Sequence, residues 1–293
     1  MAPSDTVLVA GSLHYDIMVE ADHLPRPDET AVGSRWYPKF GGKGGNQAVA
    51  IARAGGRVRM LGAVGTDDFG NFLRAGLRSA GVDDRYVATL SDHGSGMSVA
   101  IQDRAGDYAA TIVSGANLFI PRPANAADLW SGIGLVVLQN EVSPALNLSV
   151  AQEARSLGIP TLLNAAPWRD PAPDFVELVD ILVVNAVEAE MMGAGKVDSL
   201  EAARAAADHL AHRFGSVVVT AGGNGLAASR AGLETIVLPA ERVKVVSTHG
   251  AGDAFIGAFA AATIQGERLK EACQRASHAA ALHVAGKSRA AAV

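Results

Sequence analysis

Residues 181–188 read Ile-Leu-Val-Val-Asn-Ala-Val-Glu, an unbroken apolar run that ends in polar residues. A strand with one face in water alternates apolar and polar side chains, whereas a strand of a parallel sheet is covered on both faces and is apolar throughout. The run therefore predicts a buried parallel strand over 181–184. The polar residues after it lie where ligands bind in α/β proteins, at the carboxyl edge of the sheet.

Similar short apolar runs recur along the chain, at Val7–Ala10, Val58–Val64, Leu135–Leu138, Thr161–Leu163 and Val217–Thr220. Helix-like stretches separate them and cover Gln47–Ala54, Phe69–Ser79, Ala145–Leu157, Leu200–Phe214, Ala254–Ile264 and Leu269–Ala285. This alternation of strand and helix predicts an α/β fold, with a doubly wound, mainly parallel sheet flanked by helices on both faces.

Two stretches interrupt the alternation. Residues 17–40 and 97–113 have strand-like patterns without a helix between them. We expect an antiparallel hairpin sheet there that forms a small β-sheet lid, with strands drawn from about residues 12–40 and 97–113. Because the chain shows no linker and its length only slightly exceeds that of a usual domain, we predict a single α/β domain over residues 1–293 with this lid.

The overall composition excludes several classes of partner. The 293 residues carry a formal net charge of -5 and no dense run of Lys or Arg, so we expect no nucleic-acid partner. No apolar run is long enough to span a membrane and the amino terminus lacks a signal-peptide pattern, so we expect a cytoplasmic protein with no membrane partner. The one cysteine, Cys273, lies in a helical pattern typical of an inert thiol. A small solute is the partner that this composition favours.

The sequence STHGAGD at residues 247–253 precedes small apolar residues typical of a buried helix. Small residues before a helix let backbone N–H groups approach an anion, and the helix dipole adds positive charge there. An acidic residue such as Asp253 is commonly a simple helix cap. In an anion-binding turn its charge would compete with phosphate unless it served the reaction, as a general base that takes a proton from an attacking hydroxyl does.

The sequence FGGKGGNQ at residues 40–47 leads into a helical pattern. Its four glycines let backbone approach a ligand, and Lys43 and Asn46 add a cation and an amide at the same point. A flexible turn with a solvated lysine is equally compatible with this segment. It is not a Walker A loop, because Gly44 follows the lysine where that motif requires Ser or Thr.

Two further segments follow predicted strands. Asn185 and Glu188 are three residues apart on a first helical turn, where they could hold a hydrated Mg²⁺ or form a helix cap. The sequence TAGGNG at residues 220–225 lacks the dinucleotide spacing and could be a hairpin turn. Its position at a strand end also makes it a candidate nucleotide loop.

Together these segments resemble the PfkB family of carbohydrate kinases, and within it the ribokinases. The segments that carry the resemblance span nearly the whole chain, in the order Gly11-Ser12 with Asp16, GGKGGNQ (41–47), QNE (139–141), LNAAP (163–167), NAVE (185–188), TAGGNG (220–225) and THGAGD (248–253). The resemblance implies a ribokinase-like fold, ATP-dependent phosphorylation of a sugar hydroxyl with Mg²⁺, and a homodimer formed through the lid sheet.

The resemblance also implies roles for individual residues. It assigns the general base to Asp253 and the anion hole to the amides of Ala251, Gly252 and Asp253, with Gly250 in the same catalytic turn. It assigns sugar binding to Asp16, Gly42, Lys43, Asn46, Glu141 and Asp253. It assigns nucleotide binding to Asn185, Thr220, Gly222, Gly225 and His278, and water-mediated Mg²⁺ binding to Asn185 and Glu188.

The chain departs from the ribokinases at two places. Ribokinases usually carry Asn where this chain has His14, so we expect His14 to bind substrate differently, donating to another hydroxyl or to a base; the alternative is a histidine hydrogen-bonded only to backbone. Ribokinases that bind an activating K⁺ usually have Asp in place of Ser247, and the segment 287–293 lacks their glycine and polar ligands. The resemblance therefore does not extend to a standard monovalent-cation site.

The favoured function is phosphorylation of the primary hydroxyl of ribose or a related pentose. A nucleoside kinase acting on an adenosine- or pseudouridine-like substrate is an alternative, suggested by His14 and Tyr15. A catalytically silent sugar-binding regulatory protein is an alternative of another class, against which the intact Asp253 argues.

Overall fold

The computed structural model describes residues 4–122 and 126–287. Its strands, in chain order, are β1 (Thr6–Ala10), β2 (His14–Ala21), β3 (Gly33–Gly41), β4 (Arg57–Gly65), β5 (Asp83–Leu90), β6 (Met97–Gln102), β7 (Tyr108–Val113), β8 (Ile133–Gln139), β9 (Thr161–Asn164), β10 (Ile181–Asn185), β11 (Ser216–Thr220), β12 (Gly225–Arg230) and β13 (Ile236–Pro239). Its α-helices are α1 (Lys43–Arg53), α2 (Asp68–Ser79), α3 (Ala126–Trp130), α4 (Pro144–Ser156), α5 (Pro173–Val176), α6 (Ala186–Met191), α7 (Leu200–Leu210), α8 (Ala251–Ile264) and α9 (Leu269–Val284).

The large sheet has the strand order β13-β12-β11-β10-β9-β8-β1-β4-β5. The strands from β11 to β5 pair in parallel, while β12 and β13 add an antiparallel edge. The chain builds from β1 outward to β5 and then returns to the other side of β1 with β8. This reversal leaves a crevice outside the carboxyl ends of β1 and β8, which is where ligands bind in such sheets.

Helices cover both faces of the large sheet, as the apolar runs predict. In β1, Val7 and Val9 pack against one core and Leu8 and Ala10 against the other, and all four are fully buried. One core includes residues of α1, α2, α8 and α9, and the other includes residues of α3 to α7. Because successive side chains of a strand point to opposite faces, a strand between two cores must be apolar throughout.

Close packing of α1 on α8 positions the residues that matter most below. The interior of α8, from Phe255 to Ala262, is buried throughout and consists largely of Ala. A Cβ atom built on Gly257 would collide with the side chain and backbone of Ala50 in α1. Small residues at this contact let the two helix axes approach, and the amino-terminal turns of both helices therefore meet.

A second sheet of four strands has the order β3-β2-β6-β7, and we call it the lid sheet. Its strands lie within the two segments predicted for a lid. Both predicted hairpins, β2–β3 and β6–β7, are antiparallel, but the expectation of an antiparallel sheet is wrong where they meet, because β2 pairs with β6 in parallel. Each hairpin, β2–β3 and β6–β7, leaves the body and returns to it, so the first strands of the two hairpins run in the same direction.

Strand β5 lies at the edge of the large sheet, and no apolar run in the sequence predicts it. It begins Asp83-Asp84-Arg85, and buried and exposed positions are mixed along it. An edge strand is covered on fewer sides and therefore lacks a continuous apolar run.

Cys273 is buried in α9, where burial raises the pKa of its thiol to about 12. Among the described residues, no helix combines the length and apolar character needed to cross a bilayer.

Candidate active site

The crevice between β1 and β8 holds a carboxylate anchored to the start of α1. The Oε2 atom of Glu141 accepts hydrogen bonds from the Ser12 hydroxyl at 2.5 Å and from the backbone N–H of Lys43 at 2.8 Å. Lys43 is the first residue of α1, so the carboxylate satisfies a free N–H group and faces the positive end of the helix dipole. This arrangement holds Glu141 and Lys43, both predicted to bind sugar, in one place.

Gly42 is the cap of α1, and its backbone has a φ of 83°. A Cβ atom at this position would lie 2.7 Å from the backbone nitrogen of His14 and 2.8 Å from the Cα atom of Leu13. Only glycine combines this conformation with such an approach. Glycine is therefore required at Gly42 for close contact between this loop and the connection from β1 to β2.

Asp253 lies in the first turn of α8 and faces the first turn of α1. Its Oδ1 atom accepts a hydrogen bond from Nε2 of Gln47 at 3.0 Å, and its Oδ2 atom accepts one from Nδ2 of Asn46 at 3.3 Å. Burial raises the pKa of Asp253, while the nearby Lys43 and these two amide donors lower it. The carboxylate is thus held in a protein environment that favours accepting a proton.

Gln47 belongs to a chain of buried amides that pattern analysis did not single out as a site. Its Nε2 atom also donates to Oδ1 of Asn164 at 3.0 Å, and its Oε1 atom accepts from Nε2 of Gln139 at 2.8 Å. Gln47 and Gln139 are fully buried. The sequence signal was a glutamine on the apolar side of α1, where a buried polar group needs hydrogen-bond partners.

The amino terminus of α8 offers unpaired backbone donors. The N–H groups of Gly252 and Asp253 donate to no acceptor in the described part of the chain, whereas the N–H of Ala251 bonds to the carbonyl of Thr248 at 3.2 Å. Gly250 adopts a left-handed conformation with a φ of 83°, and a Cβ atom on Gly252 would meet only open space. Free N–H groups beside open space at a helix start form a site suited to an anion.

Asp16 is contributed by the lid sheet. Its Oδ1 atom accepts a hydrogen bond of 2.5 Å from the Ser98 hydroxyl on the neighbouring strand β6. Burial raises the pKa of Asp16, and the bond from Ser98 and the charge of His14 oppose that rise. A Cβ atom on Gly41 would collide with this carboxylate. The lid sheet therefore carries a half-buried acid beside the glycine loop.

His14 is buried at the base of the lid sheet, where its Nδ1 atom lies 4.0 Å from Oε2 of Glu141. Its Nε2 atom has no hydrogen-bond partner among the described residues, so the expected alternative of a backbone-bonded histidine is not what the structure shows. Asn117, which the sequence analysis missed, lies next to it. The Asn117 amide binds both the N–H and the carbonyl of Leu13, each at 2.9 Å, and also the carbonyl of Ser114.

Asn185 and Glu188 form a capping box at the start of α6. The Glu188 N–H donates to Oδ1 of Asn185 and the Asn185 N–H donates to Oε2 of Glu188, each at 2.9 Å. The other oxygen of Glu188, Oε1, accepts no hydrogen bond from the described residues. Burial raises the pKa of Glu188, and the charge of Lys43 lowers it. A carboxylate oxygen with no hydrogen-bond partner among the described residues fits a hydrated Mg²⁺, which keeps most of its own waters.

The residues predicted to bind nucleotide are more dispersed. Thr220 pairs with Asn185 across β10 and β11, so both lie at the carboxyl edge of the sheet. Residues 220–225 form the predicted hairpin turn, and a Cβ atom on Gly225 would collide with the carbonyl of Leu238, so Gly225 is needed for strand packing. Gly222, with a φ of 54°, faces open space. His278 lies on α9 and contacts Glu241 at 3.0 Å.

A cleft of about 820 Å³ opens beside these groups. Its lining includes Lys39 from the lid sheet, Asn46 and Arg53 from α1, His249 from the turn before α8, and Asp253 from the first turn of α8. His249 belongs to the STHGAGD segment, and its place in the cleft lining is not predicted by that motif. The cleft gives a ligand direct access to Asp253.

The burial of Asp253 predicts a stability difference that depends on pH. Well below pH 3.8, the pKa of an ordinary Asp, the carboxyl is protonated in both the folded and unfolded chains. As the pH rises from 3.8 through the raised pKa of the folded state, the unfolded chain ionises first, so the wild type loses stability. We expect Asp253→Asn to melt a few degrees above the wild type at pH 8 and close to it near pH 4. Thermal unfolding of both proteins at the two pH values tests this, and an equal or reversed difference would contradict it.

Comparisons with known proteins agree with this geometry. Residues 4–292 match the pfkB family carbohydrate kinase. A ribokinase of Mus musculus is 35% identical over 285 residues, which cover 95% of this chain and 88% of that protein. A deoxyribokinase of Salmonella typhi is 33% identical over 285 residues, covering 96% of this chain and 93% of that protein. The structure of Arabidopsis thaliana ribokinase complexed with ribose and ATP superposes with a TM-score of 0.89 at 29% identity, covering 97% of this chain and 93% of that one.

The fold and the site define a kinase of the α/β type with a sheet above its crevice. The chain belongs to the pfkB family of carbohydrate kinases. The predicted ribokinase-like fold is confirmed, and so is the predicted class of enzyme, a phosphotransferase that acts on sugars.

Proposed function

We propose that this protein is an ATP-dependent kinase that phosphorylates the primary hydroxyl of ribose or a related pentose. The observation that carries the proposal is the position of Asp253, a half-buried carboxylate held between amide donors of α1 and next to the N–H groups that begin α8 and have no acceptor among the described residues. A base and an anion site side by side are what transfer of a phosphoryl group to an alcohol needs. The ribokinase and deoxyribokinase relatives support a pentose as the acceptor.

In this proposal Asp253 accepts the proton of the sugar hydroxyl as the hydroxyl oxygen bonds to the γ-phosphorus of ATP. The bond from that phosphorus to the bridging oxygen breaks, and ADP leaves with the electron pair. The amides of Gly252 and Asp253 donate to the phosphoryl oxygens, and Ala251 and Gly250 shape the turn that presents them. Lys43 adds positive charge on the same side.

The sugar is held by the groups around the glycine loop. Glu141 has its Oε1 atom available to accept from a hydroxyl, because Oε2 is already bonded to Ser12 and Lys43. Asp16, Asn46 and the backbone at Gly42 supply further partners, and His14 offers Nδ1 beside Glu141. Buried polar groups of this kind discriminate strongly, because a substrate lacking one hydroxyl leaves them unpaired.

The nucleotide and its Mg²⁺ are assigned to the carboxyl edge beyond β10 and β11. Mg²⁺ would neutralise charge on the phosphates, and Glu188 with Asn185 would hold one of its waters. Thr220 and Gly222 adjoin this position, and Gly225 shapes their turn. His278 keeps its assignment near the base of the nucleotide as a prediction. The lack of a standard monovalent-cation site also stays a prediction, because residues 288–293 lie outside the described part of the chain.

A substrate screen with ADP release as the readout tests the proposal. We expect ribose or another pentose to give the highest kcat/KM among pentoses, hexoses and nucleosides, with release that requires both sugar and Mg²⁺. A higher kcat/KM for a nucleoside than for any pentose would identify a nucleoside as the acceptor and contradict the pentose assignment. No release with any acceptor would favour the silent sugar-binding protein.

We further propose that the chain is one domain whose lid sheet both closes the sugar site and pairs with a second copy. Large side chains of the lid sheet are exposed, including Trp36 at 64%, Tyr108 at 57% and Ile112 at 57%. Pairing would remove this apolar surface from water. A cytoplasmic location stays a prediction of the sequence.

Light scattering at micromolar concentration should give twice the 30.1 kDa mass of the chain. The variant Trp36→Glu should be monomeric. The control Leu233→Glu, which changes an equally exposed residue outside the lid sheet, should keep the dimer. A monomeric wild type would contradict the proposal.

A further inference from the structure

We propose that Gln47 is the positioning residue of the catalytic base, a buried amide that holds one oxygen of Asp253 and leaves the other to receive the proton. Gln139 holds the Gln47 amide in place through a hydrogen bond to its oxygen. This inference rests on the proposed function, in which Asp253 is the base. Gln47 and Gln139 have no role in the sugar and nucleotide contacts proposed above, and the inference gives them one.

The hydrogen bonds of Gln47 use its whole amide. Both protons of Nε2 are donated, one to Oδ1 of Asp253 and one to Oδ1 of Asn164, each at 3.0 Å. Its Oε1 atom accepts from Nε2 of Gln139 at 2.8 Å. Asn164 in turn donates from Nδ2 to the carbonyl of Val183 at 3.2 Å, so this series of hydrogen bonds ends on the backbone of β10.

This pattern allows only one orientation of the Gln47 amide. If the amide were flipped, its oxygen would face the Asp253 carboxylate and the Asn164 oxygen, and its NH₂ group would face the NH₂ group of Gln139. Each of these contacts would be repulsive. The side chain is fully buried, so water cannot compensate for a wrong orientation. Gln47 therefore presents a fixed donor to Asp253.

The two oxygens of Asp253 are consequently unequal. Oδ1 is held by the buried donor of Gln47, whereas Oδ2 receives the longer bond of 3.3 Å from Asn46, which lines the open cleft. A substrate hydroxyl entering from the cleft can replace the Asn46 bond without disturbing Gln47. We assign proton acceptance to Oδ2 on this ground.

Gln139 extends the restraint into the sheet. It ends β8, and its own Oε1 atom is buried without a hydrogen-bond partner among the described residues. A Cβ atom on Gly11 would collide with that oxygen, so the absence of a side chain at residue 11 makes room for Gln139. Asp253, the proposed base on α8, is thereby linked through Gln47 of α1 to Gln139 at the end of β8.

The experiment compares Gln47→Met, which keeps the length of the side chain but removes its donor, with Gln139→Met, which leaves the contact between Gln47 and Asp253 intact. Ile51→Ala is the matched control, because Ile51 is fully buried in the same helix and has no polar contact with the site. For each protein, kcat, the KM for sugar and the pH profile of kcat are measured.

We expect Gln47→Met to lower kcat by about 30- to 100-fold with the KM for sugar changed less than about threefold, because a misplaced base slows the reaction more than it weakens binding. The acid limb of the profile should move to higher pH, since a donor to the carboxylate is lost. Lys43, Glu141 and His249 also face Asp253 and are the same in every variant. Gln139→Met should show smaller changes in the same directions, and Ile51→Ala should lower only the melting temperature.

A readout independent of turnover separates this inference from the proposed function. Loss of the donor should lower the melting temperature more at pH 8, where Asp253 is ionised, than at pH 4, and this pH dependence should vanish when Gln47→Met is combined with Asp253→Asn. If the wild type phosphorylates no acceptor, the proposed function fails while this measurement still tests the contact. An unshifted acid limb together with a pH-independent melting difference would overturn the role assigned to Gln47.

Discussion

Replacing Asp253 with asparagine should lower kcat by about a thousandfold, the middle of the range for loss of a general base. Asparagine has the same shape and can still receive the hydrogen bond from Gln47 through its oxygen, but it cannot take a proton from the acceptor hydroxyl. Since the amides at the start of α8 are unchanged, binding of the nucleotide should persist. Steady-state ADP release with the best sugar measures the effect.

Binding of the sugar provides the control for this variant. Titration calorimetry should give a Kd for the sugar within about fivefold of the wild type, because the contacts of Glu141, Lys43 and Asp16 remain. Turnover of the variant within about tenfold of the wild type would refute the assignment of Asp253 as the base. Loss of sugar binding as well as turnover would point instead to a collapsed site.

Replacing Gly42 with alanine should lower kcat/KM for the sugar by about 100-fold or more and destabilise the protein by about 3 kcal/mol. Its φ of 83° is unfavourable for alanine, and the new Cβ would lie within 2.8 Å of backbone atoms of Leu13 and His14. Backbone cannot rotate away as a side chain can, so the start of α1 must shift. That shift moves Lys43, Asn46 and the anchored Glu141 together. Enzyme kinetics and chemical denaturation measure the two effects.

Gly55 offers a matched control, because its φ of 84° is nearly the same and a Cβ atom there would have no neighbour within 4 Å. The variant Gly55→Ala therefore measures backbone strain alone. We expect it to lose about 1 kcal/mol of stability and to keep the wild-type kcat/KM. If the two variants behaved alike, close contact at Gly42 would not be what positions α1.

The predictions that succeeded depended on local patterns with a direct physical cause. Continuous apolar runs indicated β8 and β10 because strands between two cores cannot carry polar side chains. The small residues around Asp253 indicated a helix start with free N–H groups, and the structure has one there. Asn185 and Glu188 were recognised as a pair on one helical turn, and the capping box places them so.

The predictions that failed or were missed depended on contacts between distant parts of the chain. No local pattern shows that β2 and β6 run in parallel, since this follows from where two hairpins leave the body. The nucleotide contact of Gly225 stays a prediction, but the strand β13 gives a second reason for glycine there, because a Cβ atom would collide with the carbonyl of Leu238. Asn117 binds Leu13 across 104 positions of sequence, so nothing near either residue indicates the contact.

The sequence by itself determined the class of fold, the central strands of the large sheet with most of the helices between them, and the glycine turns with Asp253. These features follow from hydrophobic periodicity and backbone conformation, which act over a few neighbouring residues. Only the tertiary structure decided which polar groups meet at the site. Gln47 and Asp253 are 206 positions apart, and they contact each other because the small residues of α1 and α8 let the two helices pack closely. Burial then determines the protonation chemistry of Asp253, and burial is a property of the folded chain alone.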